Sequence, residues 1–136
     1  MRQVNTELVN DTAKLIMHRL IARMLGRDPS LAERAKVSLG HSKERFSGYL
    51  FVREWSEFLE LPISEMRRRL TSRDEEMTRL RVSSPFVLAQ GVNFEDEVLR
   101  RRIWKVAKRA VVRSKRTAGV ESGDQQGHAD RVQAVA

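Results

Sequence analysis

Residues 93–116 read NFEDEVLRRRIWKVAKRAVVRSKR. The stretch opens acidic and closes basic, the order that complements a helix dipole: Glu95, Asp96 and Glu97 at the positive end, Arg113, Lys115 and Arg116 towards the negative end. Asn93 has the short polar side chain that caps a first turn. Leu99, Ile103, Val106 and Ala110 recur at helical spacing and form an apolar stripe. Arg101, Lys105, Lys108 and Arg109 fall on the other faces. A helix of this kind needs other helices to dock on, and the rest of the chain supplies them.

The chain has 136 residues, with only three prolines and seven glycines, and it is rich in helix-forming Leu, Arg, Glu and Ala. Alternating strand-like runs are scarce. We therefore expect an all-α fold: a single compact helical domain over 1–116, with about five to six helices, followed by a disordered tail over 117–136. The tail is small, polar, glycine-containing and free of aromatic residues.

Periodicity places a first helix at 6–25, with Val9, Ala13, Ile16, Leu20 and Met24 inward and Gly26 as its stop. His18 lies among Lys14, Arg19 and Arg23 and reads as a surface or boundary histidine, since no partner motif accompanies it. Asp28-Pro29 starts a second helix, with Leu31, Ala35 and Leu39 inward and Gly40 as its end. The most aromatic segment, 42–60, reads as the central core helix, with Tyr49, Leu50, Val52, Trp55, Phe58 and Leu59 buried. Gly48 is its weak point. Pro62 breaks it.

Two short helices follow, at 65–70 and 73–81. A helix-turn-helix is one reading of the pair. Its recognition helix would present Asp74, Glu75 and Glu76 to two walls of phosphate, which argues against DNA reading there. The same acids suit an ordinary first turn, with Arg67, Arg68 and Arg69 as local ion-pair partners. Ser84-Pro85 reads as a cap and first helical position, Phe86 and Leu88 as core plugs, and Gly91 as the end of that element. Ser83 and Ser84 have no histidine or glycine-rich loop beside them and read as structural.

Trp55-Ser56-Glu57-Phe58-Leu59, Arg69-Leu70-Thr71 and the run from Leu80 to Phe86 resemble a pattern in small helical bacterial proteins, some of them antitoxin-like or accessory. The matching residues are packing residues. The resemblance implies a small partner-binding regulator and carries no catalytic residue across.

Charge points to function. Residues 100–116 hold nine of the 26 Lys and Arg and no acid, which leaves 17 basic against 18 acidic residues elsewhere. The net charge of +8 is thus concentrated in one helix, and a concentrated field attracts polyanions. We expect a non-enzymatic regulatory or accessory protein that contacts a DNA or RNA backbone through Arg100, Arg101, Arg102, Lys105, Lys108, Arg109 and Arg113. Trp104 reads either as a base-stacking platform or as a packing residue.

Two alternatives share the helix. In one, an acidic protein partner docks on it, as in an interaction module. In the other, a homo-oligomer buries Trp104, Val111 and Val112 against a second copy. With no cysteine and no histidine pair at ligand spacing, we expect neither a metal nor a cofactor. The polar N-terminus lacks the apolar core of a signal peptide, and no apolar run approaches a membrane span, so a cytoplasmic protein is expected.

Overall fold

The computed structural model describes residues 5–124, with side chains described through Ser114. Among these residues there are six α-helices and no strand: α1 Thr6–Arg27, α2 Leu31–Phe46, α3 Leu50–Phe58, α4 Ile63–Leu70, α5 Glu75–Leu80 and α6 Glu97–Asp124, with a 3₁₀ turn at Arg81–Ser83 between α5 and α6. The fold is all-α, as expected. No helix is long and apolar enough to cross a membrane among the described residues.

The central helix is α1, not the aromatic segment. It begins where Asn5 Oδ1 accepts from the Leu8 N–H at 3.1 Å, and it packs against α2, α4, α6 and the 3₁₀ turn. Its buried set is Val9, Ala13, Leu15, His18, Ile21, Ala22 and Leu25. Leu15, His18, Ala22 and Leu25 step at intervals of three and four, the seam spacing of a helix buried between neighbours. His18 is therefore a core residue with no exposed surface, which corrects its reading as a boundary histidine.

Gly26 does not stop α1, which continues to Arg27 and is closed by the Asp28 N–H donating to the Met24 carbonyl at 2.8 Å. Gly26 instead makes room for an arginine. Arg67 Nε donates to the Ala22 carbonyl at 2.9 Å, and a Cβ on Gly26 would lie 2.7 Å from Arg67 Cζ.

Gly40 likewise lies inside α2, which runs on to Phe46. The break falls at Ser47-Gly48-Tyr49, and two aromatic clusters explain it. Phe46, Tyr49 and Phe51 pack ring to ring at 5.2–5.9 Å and staple the turn from the outside. Tyr49 and Leu50 are consequently exposed, contrary to expectation. Trp55, Phe58 and Phe86 form the second cluster, inside the core, at 4.9–6.3 Å. Trp55 Nε1 donates to the Leu80 carbonyl and to Ser83 Oγ, both at 3.2 Å, which satisfies the one polar atom of a fully buried indole.

Residues 85–91 form turns rather than a helix. Ser84 Oγ accepts from the Phe86 N–H at 3.2 Å. Phe86 plugs the core, but Leu88 is 67% exposed and does not. Gly91 adopts φ +92°, a conformation that favours glycine. Arg34 Nε donates to the Gln90 carbonyl at 2.8 Å and ties this turn to α2.

Val92 and Phe94 are buried on either side of exposed Asn93. That inward anchoring keeps the chain out of a helix until Asp96, which caps α6 through Oδ1 and the Val98 N–H at 3.1 Å. Asn93 is not the cap. At its other end the α6 backbone is helical through Asp124, past the expected boundary at 117, and residues 125–136 of the expected tail lie outside the described residues.

Candidate nucleic-acid interface

α6 docks on α1 through Ile103, Ala107 and Val111, all buried, with Leu99 half-buried beside them. The apolar stripe thus runs one position off the expected one, because Val106 is 45% exposed and Ala107 takes its place. Val111 is part of the protein's own core at 4% exposure, which removes it from any surface for a second copy. Val112 is half-buried, and Trp104 is 37% exposed at the rim of a groove with Asn10, Ala13 and Met17 of α1.

All seven basic residues expected to contact phosphate are exposed, but they do not share one face. With 3.6 residues per turn, Arg102, Lys105 and Arg109 fall opposite the Ile103–Ala107–Val111 seam, with Arg101 and Lys108 to one side of them. Lys105, Lys108 and Arg109 line a shallow depression with Val112 and Arg113. Arg100 turns to one flank, where it meets Lys14 and Glu95 in a groove of about 650 Å³. Arg113 lies towards the opposite flank. Arg101 pairs with Glu97 at 2.9 Å, with both side chains more than 70% exposed, so the pair is weak and displaceable.

Because α6 runs to Asp124, residues 113–116 are in mid-helix rather than in the last turn. The dipole effect fades within the first and last turns. Dipole complementarity therefore does not account for Arg113, Lys115 and Arg116.

The other arginines have different employment. Arg67, Arg68 and Arg69 do not pair with the acids of α5. Arg67 adds a bond to the Ala22 carbonyl of α1, Arg68 pairs with Glu65, and the Arg69 guanidinium sits 5.4 Å from the Phe58 ring centroid. Asp74 caps α5, accepting from the Met77 N–H at 2.8 Å and the Ser72 hydroxyl at 2.7 Å, and both bonds hold its carboxyl below the usual range.

Arg81 is 3% exposed and closes the C-terminal end of α4, with Nη1 donating to the Leu70 carbonyl at 3.1 Å and the Ser72 carbonyl at 2.7 Å. Burial lowers its pKa, opposed by the charges of Asp74 and Asp11. Nearby, His18 Nδ1 lies 2.7 Å from the Lys14 carbonyl. A carbonyl only accepts, so Nδ1 carries the proton, and buried Nε2 has no partner. Desolvation lowers the His18 pKa from 6.5 to about 4, outweighing the bond to the Lys14 carbonyl and reinforced by the charges of Arg81 and Lys14.

No family model, curated protein or solved structure matches this chain. Among the described residues no three His, Asp or Glu side chains come together where they could hold a metal ion.

Sequence reasoning missed one convergence. Arg19, Arg73, Arg81 and Arg113 come from four separate segments and line one basin between α1 and α6. Their separation in the chain hides the group from any charge count taken over a window.

Proposed function

We propose that this protein is a non-enzymatic regulatory or accessory protein that contacts nucleic-acid phosphates through the outer face of α6. The observation that carries this reading is the division of α6 itself: Ile103, Ala107 and Val111 are buried, while exposed Arg102, Lys105 and Arg109 fall on the opposite side of the helix, with exposed Arg101 and Lys108 beside them. Arg113 extends the positive strip towards one flank, and Arg100 with Lys14 towards the other.

Binding on such a face is to the backbone, is largely independent of sequence and is driven by counterion release. About five phosphate contacts give a log–log salt slope near −4.5 on duplex DNA, which is roughly a 500-fold loss of affinity between 50 and 200 mM salt.

The test is a fluorescence-anisotropy titration of mixed-sequence duplex DNA and single-stranded RNA at about 50 and about 200 mM salt. The wild-type protein is compared with Arg101→Glu/Lys105→Glu/Lys108→Glu. All three residues are exposed, so the variant keeps its helical circular dichroism. Salt-sensitive binding that the variant loses supports the reading. No binding at the lower salt, or equal binding by the variant, refutes it and directs the search to an acidic protein partner.

A further inference from the structure

On the flank of α6 away from Trp104, a basin of about 760 Å³ opens between α1 and α6. That size falls within the range of small-molecule sites, roughly 300–1,000 Å³. Four arginines line it: Arg19 from α1, Arg73 from the α4–α5 loop, Arg81 from the 3₁₀ turn and Arg113 from α6. Asp11 is the one carboxylate among its lining residues, and Thr12, Thr78 and Ser114 add hydroxyls. Leu15 and Val111 give it an apolar wall.

Structural duties do not account for Arg19 and Arg73. Arg19 and Arg73 make no hydrogen bond or ion pair among the described residues. Arg81 has a structural role through Nη1, and its Nη2 lies 3.4 Å from Thr78 Oγ1, but its Nε is buried without a partner. The charge of Arg19 bears on Arg81 unfavourably, while Asp74 and Asp11 bear on it favourably and more strongly. Like charges gathered around a partly apolar hollow raise one another's energy, and an anion placed among them relieves it. Guanidinium groups suit the tetrahedral, multiply accepting phosphate because each offers paired N–H donors in a plane.

We propose that this basin binds a phosphate-bearing ligand of about nucleotide size, with exposed Arg19 and Arg73 as clamps over a floor formed by Arg81 and Thr78. The proposal does not rest on the nucleic-acid reading of the outer face, since only Arg113 belongs to both groups. The phosphate comes either from a free phosphate ester or from the end of a nucleic-acid strand.

Isothermal titration with inorganic phosphate, adenosine 5′-monophosphate and adenosine tests it. The expected result is saturable binding of the monophosphate, weaker binding of inorganic phosphate and none of adenosine. Arg19→Gln/Arg73→Gln changes two exposed side chains and should weaken the monophosphate by about tenfold or more, the loss expected for charge-assisted hydrogen bonds. The outer-face variant Arg101→Glu/Lys105→Glu/Lys108→Glu should bind it as the wild type does, whether or not that face binds nucleic acid.

Adenosine binding as well as the monophosphate, affinity unchanged in Arg19→Gln/Arg73→Gln, or no saturable heat with either phosphate compound would overturn the proposal. Once monophosphate binding depends on Arg19 and Arg73, a short oligonucleotide with and without a 5′-phosphate separates the sources. Tighter binding of the phosphorylated form assigns a strand end, and equal binding assigns a free ester. Both uphold the basin as a phosphate site.

Discussion

Replacing His18 by leucine should remove most of the acid sensitivity of this fold between pH 7 and pH 4. His18 is fully buried, its Nδ1–H is spent on the Lys14 carbonyl, and its Nε2 has no partner. Protonating Nε2 would place a second cation beside the buried Arg81. The folded pKa of about 4 against an ordinary 6.5 corresponds to roughly 3 kcal/mol. Between those values the unfolded chain binds a proton that the folded chain refuses. Stability from this site is therefore complete above about pH 6.5, declines as pH falls, and is fully lost by about pH 4.

Urea denaturation of wild type and His18→Leu at pH 7, 6, 5 and 4 measures the effect. Asp28, Glu54 and Asp74, whose carboxyls are held low by Ser30, Arg79 and Met77 respectively, lose their contribution only as pH falls below their ordinary range, at the acid end of the series. The difference between the two proteins isolates His18, because those carboxylates are common to both. At pH 7 leucine should be within about 1 kcal/mol of wild type, since it fills similar space and removes a buried acceptor without a partner. Towards pH 4 the variant should gain roughly 3 kcal/mol over wild type. A difference that stays constant across the range would refute the account of His18 as a neutral core histidine.

Three further substitutions probe the supports around the core. Trp55→Phe removes the donor shared by the Leu80 carbonyl and Ser83 Oγ and shrinks the central ring cluster, so urea unfolding should show a loss of about 2–3 kcal/mol. Arg81→Met leaves the Leu70 carbonyl at the end of α4 and the Ser72 carbonyl beyond it without their donor and should cost about 2–4 kcal/mol; it also removes a cation that depresses His18, so the folded His18 pKa should rise towards its ordinary value and the stability lost between pH 6.5 and pH 4 should be smaller than in wild type. Gly26→Ala in the wild type drives a Cβ into Arg67 and breaks its bond to the Ala22 carbonyl, which should cancel most of the helix-propensity gain. In an Arg67→Ala background the same change should stabilise by about 1 kcal/mol, and equal effects in the two backgrounds would show that Arg67 does not constrain this glycine.

The sequence was most legible where a signal repeats within one helix. Thr6 as the start of α1 and the inward positions Val52, Trp55 and Phe58 of α3, with Leu59 just after it, follow from spacing alone. His18 was legible too, but only as one step of the Leu15–His18–Ala22–Leu25 seam, and its polar identity outweighed its position. Glycine misled twice. Gly40 has nothing within 4 Å of a hypothetical Cβ and sits in a helix held by Leu39 on one side of it, so packing overrides a propensity cost of about 1 kcal/mol. Gly48, of equally weak propensity, does mark a break, because Phe46, Tyr49 and Phe51 can close over the turn there. Residue type at a boundary gives a tendency, and the neighbouring side chains decide it.

Charge follows the same logic at longer range. The excess on 100–116 is a property of adjacent residues, so it can be counted along the chain and then tested against the face that α6 buries. The near balance elsewhere hides two uses that a count cannot distinguish. Arg34, Arg67 and Arg81 donate to the carbonyls of Gln90, Ala22 and Leu70, acting as ties between segments, and of these Arg34 also pairs with Asp28. Arg19 and Arg73 are then brought beside Arg81 only because α1, the α4–α5 loop and the 3₁₀ turn meet at the edge of α6. A basic helix is written in sequence, whereas a basic basin is made by docking. Anything that loosens the α1–α6 contact should disperse the second while leaving the charges of the first in place.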